Sequence, residues 1–104
     1  VWGNATVQSS KVKLKFLSTM RHAINPSEGT IEVRDGATVR DLLKTISATY
    51  GEVVMGLLFE GNNATLRNDV LILVNDTDIG ALDGMETTLS ENDEVVLMPI
   101  SHGG

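Results

Sequence analysis

Few residues in this chain have types and spacing that could do chemistry. Cysteine is absent, which excludes a thiol nucleophile, a zinc–thiolate site, a disulfide framework and any cysteine-based sulfur relay. The two histidines, His22 and His102, each lack a second ligand at metal spacing, so neither is assigned a metal. No glycine-rich loop links a strand to a helix in the manner that cradles phosphate. Carboxylates crowd residues 76–94, but in turn sequences that give no sign of burial. Solvated carboxylates keep ordinary acidity and make poor general acids, so no catalytic residue is assigned. What remains is Ser101-His102-Gly103-Gly104 at the end of the chain. Two glycines carry no side chains, so this segment can lie extended in a narrow channel of another protein while its carboxylate meets that protein's catalytic atoms. Such a carboxylate can be captured by backbone donors, activated as an acyl-adenylate and attacked by a nucleophile. The competing reading is a frayed terminus without a role.

A reactive tail needs a rigid body to hold its base, and the residue patterns describe one. Lys11-Val12-Lys13-Leu14-Lys15-Phe16 alternates strictly, with Val12, Leu14 and Phe16 on one face and three lysines on the other: a half-buried strand, with strand character continuing through Met20 to Ala23. After the turn cluster Asn25–Gly29 a second strand covers Thr30–Arg34, with Ile31 and Val33 inward, making an antiparallel hairpin. Thr38 is a helix N-cap with Asp41 as an acidic capping-box partner. Val39, Leu42, Leu43, Ile46 and Tyr50 then recur at helical spacing, and Gly51 follows where a left-handed C-terminal residue belongs. Val53–Phe59 carries Gly56 and fits a short helix or an irregular buried stretch equally well. Val70–Val74 is a strand buried on both faces, and Glu94–Ile100 is a last strand with Val95 and Leu97 on one side and Val96, Met98 and Ile100 on the other. The expected fold is α+β: a mixed sheet of four to five strands with one main helix packed on one face, and a minor element near Ile79.

The 104 residues suit a single domain. Residues 1–10 read as a disordered extension or expression remnant, 11–100 as the domain and 101–104 as a flexible tail. Charge is unevenly spread. Residues 1–68 hold all eight Lys and Arg and six acids, whereas 69–104 hold eight acids and no base, leaving a net charge of -6. So acidic an end argues against phosphate-backbone binding, so nucleic acid is not an expected partner. It reads either as a solvated face or as a surface steered towards a basic partner. Apolar runs such as Val70–Val74 are too short to cross a bilayer, so no membrane partner is expected. The sequence opens at Val1 rather than Met, which reads as trimming or as a chain that does not begin where translation does, and no basic leader followed by an apolar segment is visible. A cytoplasmic location is the expectation, and the Asn-X-Thr triplets at Asn4, Asn63 and Asn75 are read as chance.

With the element order and the tail in view, the sequence resembles the ubiquitin-like β-grasp sulfur carriers and modifiers. These include the small subunit of molybdopterin synthase, the thiamine sulfur carrier, and the eukaryotic and archaeal ubiquitin-related modifiers. The similarity runs from Lys11 to Gly104. Its most specific parts are Ile72-Leu73-Val74-Asn75-Asp76, Leu82-Asp83-Gly84, Thr88-Leu89-Ser90-Glu91-Asn92-Asp93-Glu94-Val95, then Pro99 and Gly103-Gly104. His102 before the glycines is similar to the ubiquitin-related modifiers, while Asn92 stands where glycine is common in the molybdopterin subunits. The resemblance implies that an ATP-dependent, ubiquitin-activating-type enzyme adenylates the Gly104 carboxylate and that a sulfur donor converts it to a thiocarboxylate. It also implies that the activated end can pass to target-protein lysines as an isopeptide bond, with tRNA thiolation and molybdopterin biosynthesis as further outlets. The ATP belongs to the activating enzyme; this chain binds no cofactor and is a carrier or tag, not an enzyme.

Two other readings fit the same residues: a subunit that inserts its tail into the molybdopterin synthase large subunit, and a β-grasp interaction module whose glycines are incidental. One helix can cover only one side of the sheet, so Val96, Met98 and Ile100 are expected to form an exposed apolar patch beside His102 and the tail, for a partner.

Overall fold

The alternation from Lys11 to Phe16 does become a strand, and its inward Val12, Leu14 and Phe16 are buried at the centre of the molecule. In the computed structural model, which describes residues 8–61 and 65–100, β1 (Ser9–Phe16) begins two residues before the expected domain boundary. Ser10 is buried, and its hydroxyl donates to Asp35 Oδ1 at 2.6 Å, while the Asp35 N–H donates to the Gln8 carbonyl at 3.1 Å. These bonds tie Ser9 and Ser10 into the sheet, correcting their assignment to an extension; residues 1–7 lie outside the described residues, as does the expected tail, 101–104.

The sheet grows outward from β1. β2 (Glu28–Arg34) pairs with it antiparallel, and β7 (Glu94–Pro99) pairs parallel on its other side. β5 (Val70–Val74) pairs antiparallel with β7, and the short β6 (Thr77–Asp78) pairs with β5, giving the order β2-β1-β7-β5-β6. The connection from β1 to β2 is not a simple turn. Ser18 takes a positive φ of 59° that ends the strand, and Met20–Ala23 forms a short helix, α1, which buries Met20. The expectation of continued strand there is therefore corrected.

α2 (Val39–Tyr50) forms where the sequence placed it. Thr38 accepts from the Asp41 N–H, Asp41 accepts from the Thr38 N–H, and Gly51 closes the helix at φ 85°. Val39, Leu42, Leu43 and Ile46 are buried against Leu14, Phe16, Val95 and Leu97 within one core, each such side chain contributing about 1.5–3 kcal/mol. Tyr50 adds an edge-on contact to Phe16, with ring centroids 5.8 Å apart. The ambiguous segment after Gly51 is a helix, α3 (Glu52–Leu58), that buries Val54 and Leu58. It leads into a small hairpin, β3 (Phe59–Glu60) with β4 (Thr65–Leu66), which no residue pattern had marked. A 3₁₀ turn at Ile79–Ala81 supplies the minor element expected there. The mixed five-stranded sheet with one main helix is the α+β arrangement expected.

Candidate functional site

The tail's four residues lie outside the described residues, but the structure defines their point of departure. β7 is held on both sides: Leu97 opposes Phe16 of β1 and Ile72 of β5. At its end Pro99 opposes Val70, and the Ile100 N–H donates to the Asp69 carbonyl at 2.7 Å. Asp69 is itself gripped by Arg67, whose Nε and Nη2 donate to the two carboxylate oxygens at 3.0 and 3.1 Å. Those hydrogen bonds, with the charge of Asp69 behind them, raise the guanidinium above its already high ordinary value, and Glu60 lies 4.0 Å from it. A bidentate fork of this kind fixes orientation as well as charge. Beside it a hollow of about 290 Å³ is lined by Thr19, Met20, Leu57, Arg67, Asp69 and Pro99. Sequence reasoning missed this clamp, because Arg67 and Asp69 looked like ordinary loop charges.

The face of the sheet opposite α2 is set by register. Lys15 stands opposite Val96, Leu73 opposite Val96 on the other side, Leu71 opposite Met98 and Asp78 opposite Leu73, so all point the same way. The expected patch of Val96, Met98 and Ile100 is only partly there. Val96 is 5% exposed, Met98 half-buried and Ile100 39% exposed. Val96 is covered because it lies on a central strand: Leu73 flanks it on one side, and the Lys15–Glu94 ion pair (3.5 Å) draws the lysine stem along it on the other. Leu71 and Leu73, taken from sequence as fully buried, are half-buried on this face. The accessible apolar surface thus shifts towards Leu71, Leu73 and Met98. His102 lies outside the described residues.

The acidic end divides in two. Glu91 accepts the Lys11 N–H at 2.7 Å, Asp78 accepts the Gly80 N–H at 2.7 Å, and Asp93 takes Asn75 Nδ2 and the Ser90 N–H. These carboxylates hold turns together. Asp76, Asp83 and Glu86 are exposed, and of these Glu86 pairs with Arg40 at 3.2 Å. Asn92, at the position where the resemblance departs, takes a positive φ of 69°, a conformation that glycine and asparagine share most readily.

A second cleft, of about 640 Å³, lies between α2 and the β3–β4 hairpin and shares no lining residue with the hollow at the tail base. Ser47 Oγ, buried on its wall, is the one buried side-chain polar atom without a hydrogen-bond partner among the described residues.

A parallel pair of strands at the centre of a mixed sheet, one helix across it and a C-terminal strand leading to Gly-Gly define a ubiquitin-like β-grasp protein. The chain belongs to the ThiS family, whose model matches residues 14–104. It is 31% identical over 94 residues to small archaeal modifier protein 3 of Haloferax volcanii, spanning 90% of this chain and 99% of that protein. It is 36% identical over 67 residues to a ubiquitin-related modifier 1 homolog of Drosophila willistoni, 64% of this chain and 65% of the relative. The solution structure of small archaeal modifier protein 1 from Methanosarcina acetivorans is similar with a TM-score of 0.79 and 26% identity, covering 93% of this chain and 99% of that one. The relatives are modifiers, and this chain stands with them as a ubiquitin-like modifier or sulfur carrier and not as an enzyme.

Proposed function

We propose that this protein works through the carboxylate of Gly104, which a ubiquitin-activating-type enzyme adenylates. The carboxylate attacks the α-phosphate of the enzyme's ATP, and pyrophosphate leaves. Hydrosulfide-level sulfur from a donor then displaces AMP to give a thiocarboxylate, or the amine of a target-protein lysine displaces AMP, losing a proton, to give an isopeptide bond. The observation that carries this reading is the held departure of the chain at Ile100, whose N–H donates to the Asp69 carbonyl at 2.7 Å just before a sequence that ends in two glycines. Four extended residues reach roughly 13–14 Å, enough to enter a channel while the domain stays outside. The family match through residue 104 and the names of the relatives support the same reading. The open face around Leu71, Leu73 and Met98, with Val96 beneath, Ile100 at its margin and His102 following, is the surface that meets the activating enzyme. Gly103 admits the tail to the channel.

The test removes Gly103 and Gly104. The shortened chain keeps its fold, because glycines contribute no side-chain burial, and loses activation. Gly103→Val does the same by widening the tail with a β-branched side chain. Wild-type and altered chains are incubated with ATP, activating enzyme and a sulfur source. Intact mass then reports replacement of a terminal oxygen by sulfur, or attachment to lysine. Equal modification of the shortened chain overturns the proposal.

A further inference from the structure

One end of the sheet is closed by the two-residue β6, and the other by β2, a seven-residue strand with nothing beyond it among the described residues. The hydrogen bonds that flank the β1–β2 ladder show which groups β2 leaves free. The Phe16 N–H donates to the Ser27 carbonyl and the Asp35 N–H to the Gln8 carbonyl. Facing pairs in an antiparallel ladder alternate between bonded and non-bonded. Stepping inward by two therefore makes Gly29, Ile31 and Val33 the residues bonded to β1. Glu28, Thr30 and Glu32, with the Arg34 N–H, aim their backbone groups away from the sheet; the Arg34 carbonyl is taken by the Ala37 N–H at 2.9 Å. All four of these side chains are exposed, and neither Glu28 nor Arg34 has an ion-pair partner among the described residues.

Charged side chains on an edge usually guard against pairing. Here their order is self-complementary. We propose that β2 pairs antiparallel with β2 of a second copy of this chain, around a two-fold axis at Ile31. In that register Glu28 faces Arg34 of the second copy at both ends of the seam, and Thr30 faces Glu32 of the second copy. Thr30 and Glu32 exchange both backbone bonds, and the Arg34 N–H reaches the Glu28 carbonyl across the seam. On the inner face Ile31, half-buried in one copy, meets its own counterpart, and Gly29 leaves room opposite Val33. Moving the register by two residues sets Glu32 against Glu32, or Glu28 against Glu32, so like charges select the first arrangement. The two sheets become one ten-stranded sheet with β6 at both ends. Since β2 lies two strands from β7, both tail bases stay clear of the seam.

The seam is short, so association is weak and reversible, and sedimentation equilibrium of the full chain from about 10 μM to about 1 mM is the measurement. The expected result is a monomer–dimer equilibrium that weakens as salt rises. Glu28→Arg sets like charges together at both ends, and Arg34→Glu does the same; each weakens the dimer roughly tenfold or more. The double variant Glu28→Arg with Arg34→Glu restores both pairs in reversed sense, bringing the dissociation constant back to within about threefold of wild type. Because these side chains are exposed, all three variants keep the monomer's circular dichroism. A chain that stays monomeric throughout the range overturns the proposal, as does a dimer indifferent to the single swaps or not rescued by the double.

Discussion

Thr38 and Asp41 decide where the main helix begins, although both are exposed to solvent at their polar ends. The Thr38 N–H donates to Asp41 Oδ2 at 3.0 Å and the Asp41 N–H to Thr38 Oγ1 at 3.3 Å. The first of these, then the Thr38 hydroxyl, hold Asp41 below its ordinary value of 3.8. A carboxylate with a depressed folded-state pKa adds stability that is present above the unfolded value and is lost as pH falls through the folded one. Asp41→Asn is therefore less stable than wild type at neutral pH, and the gap between their denaturation midpoints closes as the buffer is taken below the ordinary carboxylate range. Thr38→Ala loses the hydroxyl arm at every pH and costs about 1 kcal/mol in urea unfolding. This start was legible because capping residues act within three positions of one another. Arg67 and Asp69 are as close in sequence, yet their role was hidden, because it depends on Ile100 arriving beside Asp69 from a distant strand.

At the scale of elements, local patterns foretold the inward faces of β1, β2 and β7 but not what covers the outward ones. Alternation placed Val95 and Leu97 towards α2 and Val96 and Met98 away from it, and the structure agrees. Val96 is nonetheless buried, since its cover comes from Leu73 and the Lys15 stem, which only the strand order brings alongside. The β3–β4 hairpin was invisible for a related reason: two-residue strands have too little periodicity to be read. The turn that leads from β5 to β6 is Asn75-Asp76. Asn75 and Asp76 both take positive φ (50° and 69°), the backbone of a two-residue hairpin turn. Asn75 also reaches β7: its Nδ2 donates to Asp93 Oδ1, its Oδ1 accepts the Glu94 N–H at 2.9 Å, and its own N–H donates to the Glu94 carbonyl at 2.8 Å. One side chain thus fixes the register at which the tail-bearing strand begins. Asn75→Ala keeps the backbone N–H bond but loses both side-chain bonds and strains the turn. It is expected to cost about 2 kcal/mol, read as a lower urea midpoint with faster exchange of the Glu94 amide. Asn75→Gly removes the strain and not the missing bonds, so it falls between.

At the scale of the whole molecule, charge and fold divide the work of meeting a partner. The chain's acids outnumber its bases by six, and every residue from 69 onward that carries formal charge is acidic. Composition revealed that asymmetry but not which carboxylates are free to act at a distance. Asp69, Asp78, Glu91, Asp93 and Glu94 are tied to Arg67, to backbone amides of turns and of β1, or to Lys15, so changing them disturbs folding along with any field. Asp76, Asp83 and Glu86 are exposed, and the Glu86–Arg40 pair is a surface contact with about half of each side chain open to solvent. Exposed pairs are worth about 0–1 kcal/mol, so replacing these three by their amides leaves unfolding midpoints nearly unchanged. If the acidic end draws the domain towards a basic activating enzyme, the triple variant associates several-fold more slowly at low salt. The two rates then converge as ionic strength approaches about 1 M, where the screening length falls to about 3 Å. The dissociation rate is the internal control, because steering acts on encounter and not on how long a complex lasts. Stopped-flow association at three salt concentrations separates the two: a wild-type rate indifferent to salt assigns the acidic end to solvation alone and leaves recognition to the open face and Gly104.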